Sequence, residues 1–173
     1  MRRMISLVAL LFALVGPACA SSPVQEEAYC AFCDPKVLDA QTFYEDELVL
    51  ALYTHKPIFP GHCLIIPKRH VPRFEGLTDQ ECLHIAQTIR KVNLAVSKVF
   101  GTSSYLLLQK NGEEVGQSVP HVHFHYIPRM KGDDSTLKFF WRMYFVNMQG
   151  PIDPQEMKET VSKLKEAIDL LAE

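Results

Sequence analysis

Five residues, His121-Val122-His123-Phe124-His125, leave the chain few ways to fold around them. Polar and apolar side chains alternate there with a period of two, the pattern of a strand with one buried face. On a strand from His121 to Tyr126, the three imidazoles share one side while Val122, Phe124 and Tyr126 enter a core. Successive imidazoles would then lie roughly 6–7 Å apart, twice the rise per residue. Three of the seven histidines fall within these five positions. The residues alone leave three uses open: a polar strand face near water, a metal cluster of the H-x-H type, or a set of catalytic imidazoles.

The flanking sequence supplies the rest of an α+β domain. Thr42 to Glu45, Leu48 to Tyr53, Cys63 to Ile66 and Tyr105 to Leu108 read as short strands broken by Pro, Gly and acidic turns. Thr78 with Glu81 has the form of a capping box. Behind it, Cys82, Ile85, Ala86, Ile89, Val92, Val96 and Val99 recur at helical spacing until Gly101. Asp153-Pro154 opens a C-terminal helix ending near Leu171. The aromatic-rich stretch Leu137 to Val146 is assigned to no element. Strands with segregated helices imply a mainly antiparallel sheet, a helix packed on it, and a C-terminal helix.

Before the histidines, Gly116-Gln117-Ser118-Val119 offers a turn, an amide, a hydroxyl and backbone N–H groups. Such groups hold phosphate oxygens without a cation. Glu113 and Glu114 precede the glycine instead of joining the histidines, which argues against a site built only for metal. With 18 basic and 20 acidic residues and a formal charge of −2, nothing in the composition suggests a basic groove for a nucleic-acid backbone. One nucleotide asks for far less.

The N-terminus reads as a targeting segment. Arg2 and Arg3 precede an apolar run from Met4 to Val15, and Ala18-Cys19-Ala20 has the form of a signal-peptidase site. Residues 1–20 are expected to be a signal peptide, with export to a periplasm or beyond the cell; lipid anchoring at Cys19 is the alternative. The run is shorter than the roughly 20 apolar residues of a membrane span, and none is expected in the mature chain. Residues 21–28 are polar and expected to be flexible. Cys30-Ala31-Phe32-Cys33 is either a disulfide pair or half of a zinc site. Cys63 and Cys82 read as small buried hydrophobes.

Three ordered blocks carry a resemblance. The stretch Asn111 to Arg129 contains the triad followed by Tyr126-Ile127; Pro60-Gly-His-Cys-Leu-Ile-Ile-Pro-Lys-Arg-His70 precedes it; Cys30-Ala-Phe-Cys33 with Phe43-Tyr-Glu-Asp46 comes first. Together they resemble the histidine-triad (HIT) superfamily, in the form that bacterial members with a Cys-x-x-Cys block show. The resemblance places a HIT domain core at 29–130 and leaves 131–173 as a C-terminal extension.

It implies a HIT-like fold, usually a homodimer, and a nucleotide hydrolase or nucleotidyl transferase working at the α-phosphate. His123 would be the nucleophile, with its second ring nitrogen held as an N–H donor. His125 and His62 would flank the phosphate, Gln117 and Ser118 would donate to its oxygens, and Asn111 would lie near phosphate or ribose. Thr54 stands where many members carry Asp or Asn for the ribose hydroxyls, which weakens the expected ribose contact. Cys30, Cys33, His70 and His121 would hold a structural Zn²⁺. The other functions considered are a nucleotide-binding or interaction protein with weak turnover, and a metal-dependent hydrolase using the triad as ligands.

Overall fold

The computed structural model describes residues 29–132 and 135–171. The proposed signal and flexible segments, 1–28, lie outside these. The elements are α1 (Pro35–Gln41), β1 (Thr42–Glu45), β2 (Val49–Tyr53), β3 (Cys63–Pro67), α2 (Asp79–Phe100), β4 (Tyr105–Gln109), β5 (Phe124–Pro128), α3 (Thr136–Phe145) and α4 (Pro154–Asp169). The five strands form one antiparallel sheet in the order β1-β2-β3-β5-β4. The fold is α+β, as expected. No described helix is long and apolar enough to cross a membrane.

Strand alternation divides the core between the two faces of the sheet. Val49, Ala51, Tyr53, Cys63, Ile65 and Tyr126 turn to one side, where Ile85, Ile89, Val92 and Val96 of α2 and Met157, Leu164 and Ile168 of α4 cover them. The C-terminal helix is therefore part of the main core. Leu50, Leu52, Leu64 and Ile66 turn the other way, against Cys30 and Phe32. The functional side of the sheet lies there. Helix α2 starts at the capping box: Thr78 Oγ1 accepts from the Glu81 N–H, and Glu81 accepts from the Thr78 N–H. Ala86, expected on its apolar stripe, is exposed, and Thr88 is buried in the stripe instead.

The last strand differs from the expected one. It begins at Phe124, so of the three histidines only His125 stands on β5. Continued from Ile65↔Phe124, the β3–β5 register would set Pro67 against Val122. Proline has no N–H to extend a ladder. Val122 donates instead to the Val71 carbonyl at 2.7 Å, and the chain from His121 to His123 leaves the sheet. The unassigned aromatic stretch is α3. Its Phe139 is buried and stacks on Phe59, with ring centroids 6.2 Å apart.

Candidate active site

Each histidine has a ring nitrogen committed to a defined partner, and those partners fix the protons. His123 Nδ1 lies 2.7 Å from the His121 carbonyl, which can only accept. Nδ1 therefore carries the proton, leaving a lone pair on Nε2. His62 Nδ1 accepts from the Ile58 N–H at 3.2 Å, so the His62 proton sits on Nε2, 3.0 Å from His125 Nδ1. His125 then accepts at Nδ1 and keeps an N–H on Nε2. The backbone of Ile58 thus sets the tautomer of His125 through His62. The result is one lone pair and one donor, on rings whose centroids are 5.0 Å apart.

Burial keeps these imidazoles neutral. Desolvation, with a smaller push from the neighbouring His123, lowers the His62 pKa to about 3. Desolvation, then the proximity of His62, His123 and the Lys110 charge, lowers His125 to about 2. His123 is lowered chiefly by desolvation, opposed by its bond to the His121 carbonyl, with Lys110 lowering it further. A neutral His123 is what a nucleophile requires.

The three rings line a cavity of about 670 Å³ together with Phe32, Thr54 and Lys110. Ser118 also lines it, from an exposed loop position. Thr54 is buried at its wall, its hydroxyl 3.5 Å from the Lys56 N–H. Two of the expected phosphate-side residues are placed elsewhere. Gln117 holds the loop together: its Oε1 accepts from Gly112 N–H at 2.7 Å, and its Nε2 donates to the carbonyls of Pro72 and Val119. Asn111 faces away from the histidine cavity, accepting from the Phe74 N–H and donating to Glu75. Loop glycines explain this. Gly112 and Gly116, at φ 121° and 78°, fold residues 111–117 back on themselves, so these amides meet local backbone first.

His121 belongs to a different cluster. It is fully buried, and its Nε2–H donates to the Pro67 carbonyl at 2.9 Å. Its Nδ1 lone pair is thereby directed at Cys30 Sγ, 3.4 Å away, and Cys33 Sγ, 3.6 Å away. His70 Nδ1 lies 3.4 Å from Cys33 Sγ. These four ligand atoms lie within 4.8 Å of one another, and both cysteines are thiols. Two sulfurs and two imidazole nitrogens, one of them tautomerically fixed by an outer carbonyl, fit a closed zinc centre. The structure thus brings together all four residues of the expected metal set.

A HIT domain matches residues 35–132, more than half of the chain. The chain belongs to the HIT family. It is 45% identical over 96 residues to a bis(5'-nucleosyl)-tetraphosphatase (asymmetrical) of Schizosaccharomyces pombe, an overlap covering 56% of this chain and 53% of that protein. The chain thus spans about half the length of that relative. It is 37% identical over 125 residues to an adenosine 5'-monophosphoramidase of the same organism, covering 70% of this chain and 86% of the other. The crystal structure of a Zn-bound histidine triad family protein from Mycobacterium smegmatis superimposes with a TM-score of 0.64 at 25% identity, covering 83% of this chain and 95% of that one.

Around the histidine cavity of this HIT protein three contributors escaped sequence reasoning. Phe32, between the two cysteines, packs edge-on against both His121 and His123, with ring centroids 5.9 and 5.1 Å apart. It ties the thiol loop to the nucleophile candidate. Lys110 brings a cation to the cavity from just beyond the end of β4. Met143 of α3 closes a wall, and Val146 follows it. Lys110 carried a legible signal, a cation ending the strand beside the triad. The other two carried none.

Proposed function

We propose that this HIT protein is a nucleotide hydrolase or nucleotidyl transferase acting at the α-phosphate through a covalent nucleotidyl-histidine on His123. The observation that carries the reading is the 2.7 Å bond from His123 Nδ1 to the His121 carbonyl, which leaves the Nε2 lone pair for attack. In the first step Nε2 forms a bond to phosphorus, the bond to the leaving group breaks, and its electron pair leaves with that group. The ring becomes an imidazolium, and the His121 carbonyl dipole stabilises the positive charge. The Nε2–H of His125 donates to a phosphate oxygen as charge builds there. Water, or an acceptor alcohol or amine, then attacks phosphorus. The N–P electron pair returns to Nε2 and the proton leaves to solvent. The names of the tetraphosphatase and phosphoramidase relatives support nucleotides as the substrate class.

The test is to trap the adduct. Rapid quench at alkaline pH with a labelled nucleotide, followed by peptide mass spectrometry, is expected to find the nucleotidyl group on His123. Binding without an adduct at any time point would favour the nucleotide-binding reading. The reading of the triad as a hydrolytic metal site draws less support, since His121 turns to the thiols and His62 pairs with His125.

Cys30, Cys33, His70 and His121 would hold Zn²⁺ in the manner expected of a Cys-x-x-Cys HIT protein. Bound there, the metal supplies structure, tying the residue 30–33 loop to the segment that carries His123. Metal analysis is expected to find about one zinc per chain. A disulfide between Cys30 and Cys33 would leave the protein metal-free. A homodimer would form at the open edge of β4, where Tyr105, Leu106 and Leu107 are exposed; sedimentation tests it. Export through residues 1–20 completes the proposal. N-terminal sequencing is expected to begin at Ser21, and a blocked Cys19 would indicate the lipid anchor.

A further inference from the structure

Helix α1 ends on Gln41, which is 8% exposed. Its side chain lines the histidine cavity. Val37, one helical turn earlier on the same face, lines the cavity too. Among the described residues the Gln41 amide has no hydrogen-bond partner. Burying an amide in that state costs stability, which an apolar side chain of similar size would not. Gln117 differs in this respect, because both atoms of its amide are bonded to backbone.

The sheet register shows what lies within reach of Gln41. Thr42, the next residue, pairs with Leu52, Leu52 with Leu64, and Leu64 with His125. These four make one row across β1, β2, β3 and β5. Three strand spacings separate its ends, roughly 14 Å. Gln41 and His125 line the same cavity from those two ends. Thr54 lies between them, at the end of β2, where its N–H donates to the His62 carbonyl at 3.3 Å. A nucleotide with its α-phosphate at His123 and His125 and its ribose near Thr54 would carry its base toward Gln41.

A carboxamide holds one acceptor and one donor group in a single plane. Phosphate oxygens only accept, and would leave Oε1 unpaired in a buried place. The edge of adenine offers the complement: the 6-amino group donates and an adjoining ring nitrogen accepts, a pair that glutamine meets with two parallel bonds. Guanine brings a further amino group that one amide cannot also satisfy. We propose that Gln41 is the residue that reads the base, and that the base is adenine. Its Oε1 accepts from the 6-amino group and its Nε2 donates to the ring nitrogen beside it, while Val37 and Leu64 give the ring apolar contact. The proposal rests on the reading of this cavity as a nucleotide site and involves no covalent step of its own.

The test compares the p-nitrophenyl esters of AMP and of purine riboside 5'-monophosphate, which share a leaving group and differ only in the 6-amino group. In wild type, kcat/KM for the adenine ester is expected to exceed that for the purine ester about tenfold or more, the discrimination that a two-bond base contact gives. Gln41→Met keeps the length of the side chain and loses both polar atoms. It is expected to bring the ratio close to one by lowering the adenine value alone. A wild-type ratio near one would overturn the proposal, and so would a Gln41→Met protein that keeps the wild-type ratio. Equal losses for both esters would mean that Gln41 only holds the helix in place, and would overturn it too. A second measurement needs no change at residue 41. In ¹⁵N-labelled His123→Ala protein, AMP is expected to shift the Gln41 side-chain amide signal, and purine riboside 5'-monophosphate to shift it far less. An amide signal unmoved by saturating AMP would refute the contact. Failure of the nucleotidyl-histidine reading would show separately, as a missing His123 adduct while AMP still moves the Gln41 signal.

Discussion

Replacing His62 by glutamine should make the protein less stable near neutral pH and relatively more stable in acid. His62 is 3% exposed, and burial lowers its pKa to about 3 from an ordinary 6.5. The folded state therefore holds it neutral through a range where the unfolded chain protonates it. Stability from this group is fully present above pH 6.5 and is lost as pH falls from there toward 3. At about pH 4.5, two units below the unfolded value, the loss is about 3 kcal/mol at roughly 1.4 kcal/mol per unit. Glutamine at this position does not titrate and escapes that loss. It can still donate to His125 Nδ1, but the Ile58 N–H loses its ring acceptor, a cost of about 1–3 kcal/mol for a buried donor. The variant should trail wild type by about 2 kcal/mol near pH 7, then draw level or lead near pH 4.5. Urea unfolding followed by far-ultraviolet circular dichroism across this range measures the difference directly. Acid effects common to both proteins cancel in it. A deficit that stays constant with pH would refute the buried neutral histidine and the tautomer chain that runs through it.

His123→Ala should retain the fold and lose turnover by about a thousandfold or more, measured as kcat on any nucleotide the wild type cleaves. His70→Ala should lower zinc content from about one per chain to near zero, read by elemental analysis of protein purified without chelator. Gln117→Leu should cost about 2 kcal/mol in thermal or urea unfolding, because Gly112 N–H loses its acceptor in the folded loop. A direct phosphate contact alone would instead change only kinetics. Gly61→Ala should cost about 1–3 kcal/mol in the same assay, since φ is 88° there and a Cβ would sit 3.0 Å from the Pro128 ring and 3.1 Å from Phe100.

Much of this protein was written in short-range pattern. The capping box at Thr78, the short apolar strand runs bounded by turn residues, Gly101 ending α2 and Pro154 opening α4 each depend on neighbours within a few residues, so the sequence alone could place them. The grouping of Cys30, Cys33, His70 and His121 was legible for another reason: their residue types and block order resemble a family pattern. Its geometry was not, because Cys30 and His121 meet across 91 residues of chain. Tertiary structure also decided where the triad leaves the sheet. The β3–β5 register, continued past Ile65↔Phe124, would set Pro67 against Val122, and proline has no N–H to extend the ladder there. The same holds for Gln117 and Asn111, whose amides suit phosphate as well as backbone; the fold of the 111–117 loop gave them backbone partners. Phe32, Lys110 and Met143 reach the histidines from three separate segments. A sequence states which contacts each residue type can make. Which one forms depends on what the closed sheet brings within reach: His123 and His62 find backbone partners within a few residues, while His62 meets His125, and His121 the Pro67 carbonyl, only across the fold.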